Sequence, residues 1–143
     1  MHNYPADRPA ACCPYLFYDD VGRAIRFLSE AFGMEERLAD RDEGGKVNHA
    51  QVAYGPSVIM LGETGAHAGY RARKSPAETG SLNAGVYLFV EDVDAHAQRA
   101  RTAGAKILME PTDMHWGDRL YCAEDPEGQF WMFAMSPKRA PGG

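Results

Sequence analysis

The side chains that could do chemistry in this sequence are few and widely spaced. His49, His115 and Asp118 are the combination that could hold a metal ion, but such a site needs three or four ligands converging on one point. A single histidine in a strand is more often a hydrogen-bonded structural or pocket residue. Cys13 becomes a nucleophile only beside a general base, and no Cys–His spacing supplies one. Glu124 or Asp118 could act as an acid or base, but the spacing identifies no second group.

Composition and charge exclude several function classes. The chain of 143 residues is 45% apolar and 24% charged, which is ordinary for a globular domain. Its net charge of −5, without a run of Lys or Arg, argues against nucleic-acid binding. No apolar stretch is long enough to cross a bilayer. Three cysteines without CxxC spacing, behind a start that has no signal-peptide layout, predict free thiols in the cytoplasm.

Periodicity predicts the elements that would position these residues. Pro14–Tyr18 is a short apolar-aromatic strand, and Asp19 and Asp20 supply a helix cap and negative charge. Apolar residues then recur at three- and four-residue steps until Gly33 ends the helix. That helical face consists of Val21, Ala24, Ile25, Leu28, Ala31 and Phe32. The strands predicted next are Met34–Arg41, Val47–Tyr54 and Val58–Leu61.

The second half of the chain repeats the first with an offset of about 72 residues. Leu16–Val21 aligns with Leu88–Val93, and Val58–Leu61 aligns with Phe130–Phe133. The intervening stretch, Gly62–Ala84, has no periodicity and is predicted to be a linker and surface loop, long enough to cover a pocket. The sequence therefore predicts an α+β fold built from two copies of a βαβββ unit.

The clearest local signal is the turn Asp125-Pro126-Glu127-Gly128. Asp at the first position, Pro at the second and Gly at the fourth are typical of a type I turn. The apolar runs on either side predict two strands of a buried hairpin. Asp125 is interpreted as a turn residue.

This hairpin lies in the motif WGDRxYxxxDPEGxxW, which begins at Trp116, and the duplicated chain resembles the vicinal oxygen chelate superfamily. That superfamily contains glyoxalase I, extradiol dioxygenases, fosfomycin-resistance enzymes and bleomycin-binding proteins, and the likeness is strongest to its PhnB-like and bleomycin-resistance-like branches. The resemblance implies one domain over residues 1–143, with modules at 11–62 and 85–135 and a linker at 63–84. It implies two βαβββ modules forming a curved, half-open barrel-like sheet around a cleft, and a homodimer.

Metal-dependent members of that superfamily use four His or Glu ligands on the cleft side of four strands. By local alignment these positions fall on Cys13, Met60, Gly85 and Met132. Thioethers, a thiol and a glycine are a poor donor set for a hard or borderline divalent cation. No metal and no other cofactor is therefore predicted.

Strand alternation, carried over from the same alignment, predicts the residues that face the cleft. Trp116 is added because an aromatic residue in this loop could stack over the cleft, and Asp118 and Arg119 are expected to pair with each other. His96 is expected on the outer face of its helix. The predicted ligand-binding residues are Tyr15, Phe17, His49, Gln51, Met60, Tyr87, Phe89, Trp116, Tyr121 and Met132.

The aromatic and Met-rich lining predicts a binding protein for a small, largely apolar or aromatic molecule, with antibiotic sequestration as a use for it. One alternative is a metal-dependent lyase, isomerase or dioxygenase that uses displaced ligands. A second alternative is an interaction module whose cleft is filled by its own side chains. The expected partners are a small-molecule ligand and a second copy of the chain.

Overall fold

The computed structural model describes residues 12–66, 69, 73–81 and 83–136. Within them no helix is long and apolar enough to cross a membrane. The strands are β1 (Tyr15–Tyr18), β2 (Glu35–Arg41), β3 (Val47–Tyr54), β4 (Ser57–Glu63), β5 (Gly85–Phe89), β6 (Lys106–Asp113), β7 (Arg119–Glu124) and β8 (Phe130–Met135). The helices are α1 (Val21–Phe32), α2 (Pro76–Thr79) and α3 (Val93–Thr102).

The strands form two four-stranded mixed sheets with the orders β1-β4-β3-β2 and β5-β8-β7-β6. In each sheet the first strand pairs in parallel with the last, and the remaining pairs are antiparallel. This confirms the predicted α+β fold of two βαβββ modules, and the described strands form no closed barrel. Two details of the predicted linker differ: β4 continues to Glu63, and the linker contains the short helix α2.

Each of the two long helices begins after an aspartate cap: the predicted Asp20 for α1, and Asp92, its counterpart in the repeat, for α3. The side chain of Asp20 accepts a hydrogen bond from the Arg23 amide, and that of Asp92 accepts one from the Ala95 amide. Gly33 ends α1 in the left-handed conformation, with φ of 74°. The predicted apolar face of α1 is buried along its whole length.

One hydrophobic core joins the helix-facing sides of both sheets. Phe32, at the end of α1, packs against the second module: its ring centroid lies 4.7 Å from that of Phe133 and 5.6 Å from that of Trp131. The first module's helix therefore covers part of the second module's sheet.

The turn between β7 and β8 provides a polar link between the modules. The buried Asp125 carboxylate accepts hydrogen bonds from the Tyr18 hydroxyl at 2.6 Å and from the Trp131 indole N–H at 3.1 Å. It also accepts the backbone amides of Glu127 and Gln129, each at 3.1 Å. Burial raises the pKa of Asp125 in spite of these four donors.

The same turn reaches the first module at two further points. The Glu127 carboxylate accepts the backbone amides of Asp19 at 2.6 Å and Asp20 at 2.9 Å, where α1 begins. The side-chain amide of Gln129 donates to the Phe17 carbonyl at 2.9 Å. A carboxylate at a helix N-terminus is favoured by the helix dipole as well as by the hydrogen bonds.

His96 of α3 is a third contact between the modules. Its Nε2 lies 2.9 Å from the carbonyl oxygen of Phe32, which can only accept, so Nε2 carries the proton. Its Nδ1 then accepts the hydroxyl of Tyr121 at 2.6 Å. The expectation that His96 faces outward is wrong, because the end of α1 packs over it. Burial lowers the pKa of His96.

Asp125→Ala should destabilise the protein by about 3 kcal/mol or more, because it leaves several buried donors unpaired. Tyr18→Phe removes one of the same hydrogen bonds and should cost about 1 kcal/mol. Urea unfolding of the two variants and the parent measures both values. Equal stability of all three proteins would show that the carboxylate does not hold the modules together.

His96→Gln should flatten the loss of stability on acidification. The unfolded state binds the His96 proton more readily than the folded state, so this residue's contribution is complete above pH 6.5 and declines as the pH falls through its lowered folded pKa. The raised pKa values of Asp125 and Glu127 act in the opposite sense but are common to both proteins. Unfolding free energies at pH 5 and pH 7 measure the difference, and an identical pH dependence would contradict the burial of a neutral imidazole.

Candidate functional site

Each sheet has one side covered by the helices and one side turned away from them, which we call its open face. The open face of the first sheet carries the five ligand-binding residues predicted in its strands: Tyr15, Phe17, His49, Gln51 and Met60. On the open face of the second sheet lie Gly85, Tyr87, Phe89, Phe130 and Met132. Their neighbours along each strand are buried in the core, as alternation requires.

A tyrosine lies flat across the first open face. A Cβ atom at Gly62 would sit 2.6 Å from the Tyr15 ring, so only glycine leaves room for the ring there. The Tyr15 hydroxyl reaches over β4 to within 3.1 Å of Nδ1 of His49. The ring centroids of Tyr15 and Phe17 lie 5.2 Å apart. His49 is therefore held by a tyrosine within an aromatic surface.

A carboxylate anchors the corresponding tyrosine of the second open face. The Tyr87 hydroxyl donates to Oδ2 of Asp118 at 2.8 Å, and the Ser136 hydroxyl donates to Oδ1 at 2.8 Å. These two hydrogen bonds, Ser136 first, lower the pKa of Asp118. The Phe89 ring lies 5.5 Å from Tyr87 and is 59% exposed.

Tyr121, which was predicted to face the cleft with the other ligand-binding residues, is not on the open face, so that predicted position is wrong. It is fully buried beneath the helices, where its hydroxyl contacts His96. The reason is the length of the turns. Tyr54 pairs with Ser57 across two residues, whereas the equivalent pair, Asp125 and Gln129, encloses three. Because of this extra residue, every side chain of β7 lies on the face opposite to the one that an ungapped alignment with β3 predicts.

The loop between β6 and β7 presents Trp116, which is 52% exposed and stacks edge-on with His115 at 4.8 Å. Asp118 and Arg119 do not pair with each other. Arg119 points to the helix side, where it binds Asp94 through two bonds of 2.9 Å and Asp113 at 3.1 Å. Alternation along β7 explains this separation.

The positions of the family's metal ligands do not fit a metal ion in this chain. A Cβ atom at Gly85 would lie 2.7 Å from Phe130 Cδ1 and 3.2 Å from Met132 Cε, so these side chains fill the space that a ligand would need. Met60 offers only a thioether, and Cys13 is half-buried before β1. Within the described residues, no three His, Cys, Asp or Glu side chains are grouped so as to hold a metal ion.

Two concave pockets lie beside α2. One of about 870 Å³ is lined by the α2 segment, the β7–β8 turn, Gly85, Phe130 and Met132. The other, of about 610 Å³, is lined by Tyr15, Phe17, Phe130 and Pro76 among others. The linker thus borders both open faces, and these pockets argue against a cleft filled by its own side chains. The remaining predicted residues, His49, Gln51, Met60, Tyr87, Phe89 and Trp116, lie outside both pockets.

Comparison with known proteins gives related sequences and structures. Rv0887c of Mycobacterium tuberculosis (strain ATCC 25618 / H37Rv), an uncharacterized protein, is 33% identical over 121 residues, which are 85% of this chain and 71% of that protein. The crystal structure of TioX from Micromonospora sp. ML1 is 30% identical, with a TM-score of 0.71, and the match covers 90% of this chain and 99% of TioX.

A more distant structure is a mutant of the fosfomycin resistance protein FosX from Listeria monocytogenes, complexed with Mn(II) and 1S,2S-dihydroxypropylphosphonic acid. It is 14% identical with a TM-score of 0.63 over 90% of each chain, which supports the fold alone. The model of one family matches residues 9–133. The chain therefore belongs to the Glyoxalase/Bleomycin resistance protein/Dioxygenase superfamily.

Proposed function

We propose that this protein binds a small, largely apolar or aromatic molecule against its open faces without the help of a metal ion. The observation that carries the proposal is the pair Phe130 and Met132, which occupy the side-chain space of position 85 where the family places a metal ligand. Carbon and thioether groups there favour apolar contact with a ligand and do not favour coordination of a divalent cation.

The binding energy would come from apolar area removed from water, at roughly 25 cal/mol per Å². Tyr15, Phe17, Tyr87 and Phe89 provide ring surfaces at least partly open to solvent. Such rings gain additional energy from offset or edge-on contact with an aromatic ligand.

Polar groups among the rings would orient the ligand. Gln51 is half-buried beside Met60, and its side-chain amide makes no hydrogen bond within the described part of the chain. His49 has one ring nitrogen engaged by Tyr15, which leaves the other for a ligand. Few, well-placed polar groups in an apolar surface are typical of ligand sites.

Sequestration of an antibiotic is the use that we propose for this binding. Membership of a superfamily that includes the bleomycin resistance protein supports it. The three cysteines, Cys12, Cys13 and Cys122, are all free thiols, which suits the reducing cytoplasm. The competing proposal, a metal-dependent lyase, isomerase or dioxygenase, lacks a donor set in the described residues.

A homodimer forms part of the proposal. Leu38, on β2 beside Gln51, is 40% exposed, and Phe89 and Trp116 are exposed to a greater extent. Large apolar side chains left open on sheet faces are typical of surfaces that another molecule covers. A second copy that covers part of each face would turn two shallow surfaces into closed clefts.

At least one compound from a library of aromatic natural products should raise the melting temperature, and an excess of EDTA should leave that shift unchanged. Phe89→Ala should weaken binding of the same compound about tenfold, because a solvent-open ring is lost from the site. Tyr121→Phe, on the buried side of the sheet, is the matched control and should retain affinity. Failure of every compound to stabilise the protein would refute ligand binding.

Light scattering after gel filtration should give twice the chain mass of 15.7 kDa. Leu38→Glu should shift the protein towards monomer, because it places a charge in an apolar contact. Arg37→Glu, at the next position of the same strand, is the control and should remain dimeric. A monomer at tens of micromolar for the parent protein would overturn the dimer.

A further inference from the structure

One end of the second open face combines an anionic group with exposed rings. We call the residues Tyr87, Phe89, Trp116 and Asp118 the Asp118 cluster. Asp118 binds the Tyr87 hydroxyl at 2.8 Å, and the Tyr87 and Phe89 rings lie 5.5 Å apart at an interplanar angle of 62°. Trp116 lies two residues before Asp118, in the loop between β6 and β7 that the hydrogen bond from the Met114 amide to the Asp118 carbonyl closes at 2.8 Å.

Within the part of the chain that the structure describes, no lysine or arginine forms an ion pair with the Asp118 carboxylate. Its hydrogen-bond donors are the uncharged hydroxyls of Tyr87 and Ser136. Arg119, the next residue, is turned to the other side of the sheet and engaged with Asp94 and Asp113. No ion pair with Asp118 occurs among the described residues, and its lowered pKa keeps the carboxylate ionised at neutral pH.

The rings beside this charge are unusually open to water. Phe89 is 59% exposed and Trp116 is 52% exposed, whereas the other tryptophan, Trp131, is fully buried. A carboxylate that is hydrogen-bonded to one of several exposed aromatic side chains can attract an organic cation, through its charge and through the ring quadrupoles together. Both effects act on the same ligand group.

A metal ion is a poor fit for the same place. Each Asp118 oxygen already accepts a hydrogen bond, and the Phe89 ring provides no donor atom at all. An alkylammonium group needs no coordinating lone pairs and presents methyl or methylene groups to the rings. The chemistry of the cluster therefore distinguishes an organic cation from an inorganic one.

We propose that the Asp118 cluster binds the cationic portion of the ligand, a tertiary or quaternary ammonium group carried on an apolar or aromatic body. This inference rests on the proposed function, since it names the class of molecule bound at the open face. The net charge of −5 would assist the approach of such a ligand at low ionic strength.

The test uses benzyltrimethylammonium and its uncharged isostere neopentylbenzene. Each is titrated into the full-length protein, and the indole N–H signal of Trp116 is followed by NMR, with that of Trp131 as an internal reference. The cation should bind at least tenfold more tightly than the isostere. Asp118→Asn, which retains an amide oxygen, should abolish that preference. Asp113→Asn removes one negative charge from the end of the neighbouring strand β6, and this control should keep the preference for the cation.

Trp116→Ala is a second variant that does not depend on the stability of the Asn substitution, because this side chain is exposed. It should reduce the affinity for the cation, measured by isothermal calorimetry, at least tenfold. Equal affinity for the two probes, or a preference that persists in Asp118→Asn, would overturn the inference. If the protein shows no such preference but still binds aromatic library compounds, only the inference about the cation is refuted. If no library compound binds at all, the proposed function is refuted as well.

Discussion

Four hydrogen-bond donors converge on the buried carboxylate of Asp125, and two of them, the hydroxyl of Tyr18 and the indole of Trp131, come from different modules. A buried carboxylate is costly without such partners. Because all four donors must be in place together, the β7–β8 turn has one position against β1. The neighbouring Glu127 then ties the same turn to the start of α1. The relative position of the two open faces follows from this junction.

The duplicated modules present unequal surfaces for a simple geometric reason. The turn that contains Asp125 is one residue longer than its counterpart in the first module. The register of β7 is therefore shifted by one residue relative to β3, and its side chains lie on the opposite faces from those that the repeat predicts. The first open face consequently keeps His49 and Gln51, while the second carries Leu120 and Cys122 at the matching places. Tyr121 goes instead to the core, where it meets His96. Repetition in sequence has produced one face with polar groups and one that is mainly apolar.

Much of the fold was predictable from local rules. The aspartate cap, the apolar spacing and the following glycine predict α1, and the repeat predicts a second module of the same kind. Alternation places Tyr15 and Phe17 on one face, and the family resemblance assigns that face, together with Met60, to the cleft. These features depend on neighbours in the chain, which a sequence shows directly.

The features that the sequence did not predict are long-range. Asp125 fits a turn by its local pattern, and only the packing of Tyr18 against it makes it a junction. His96 lies on a face of α3 that would be exposed to solvent in the second module alone, and only the packing of the end of α1 covers it. The face of Tyr121 depends on a count of turn residues that an ungapped repeat alignment cannot register. In each case the missing information is a contact between distant segments.

Apolar side chains occupy the position at which the family places a metal ligand. The decisive measurement is elemental analysis of the protein after purification without affinity metals and dialysis. We expect far less than one equivalent of zinc, nickel, manganese or iron per chain. A stoichiometric amount of any of them that survives dialysis would contradict this expectation and would direct attention to catalysis.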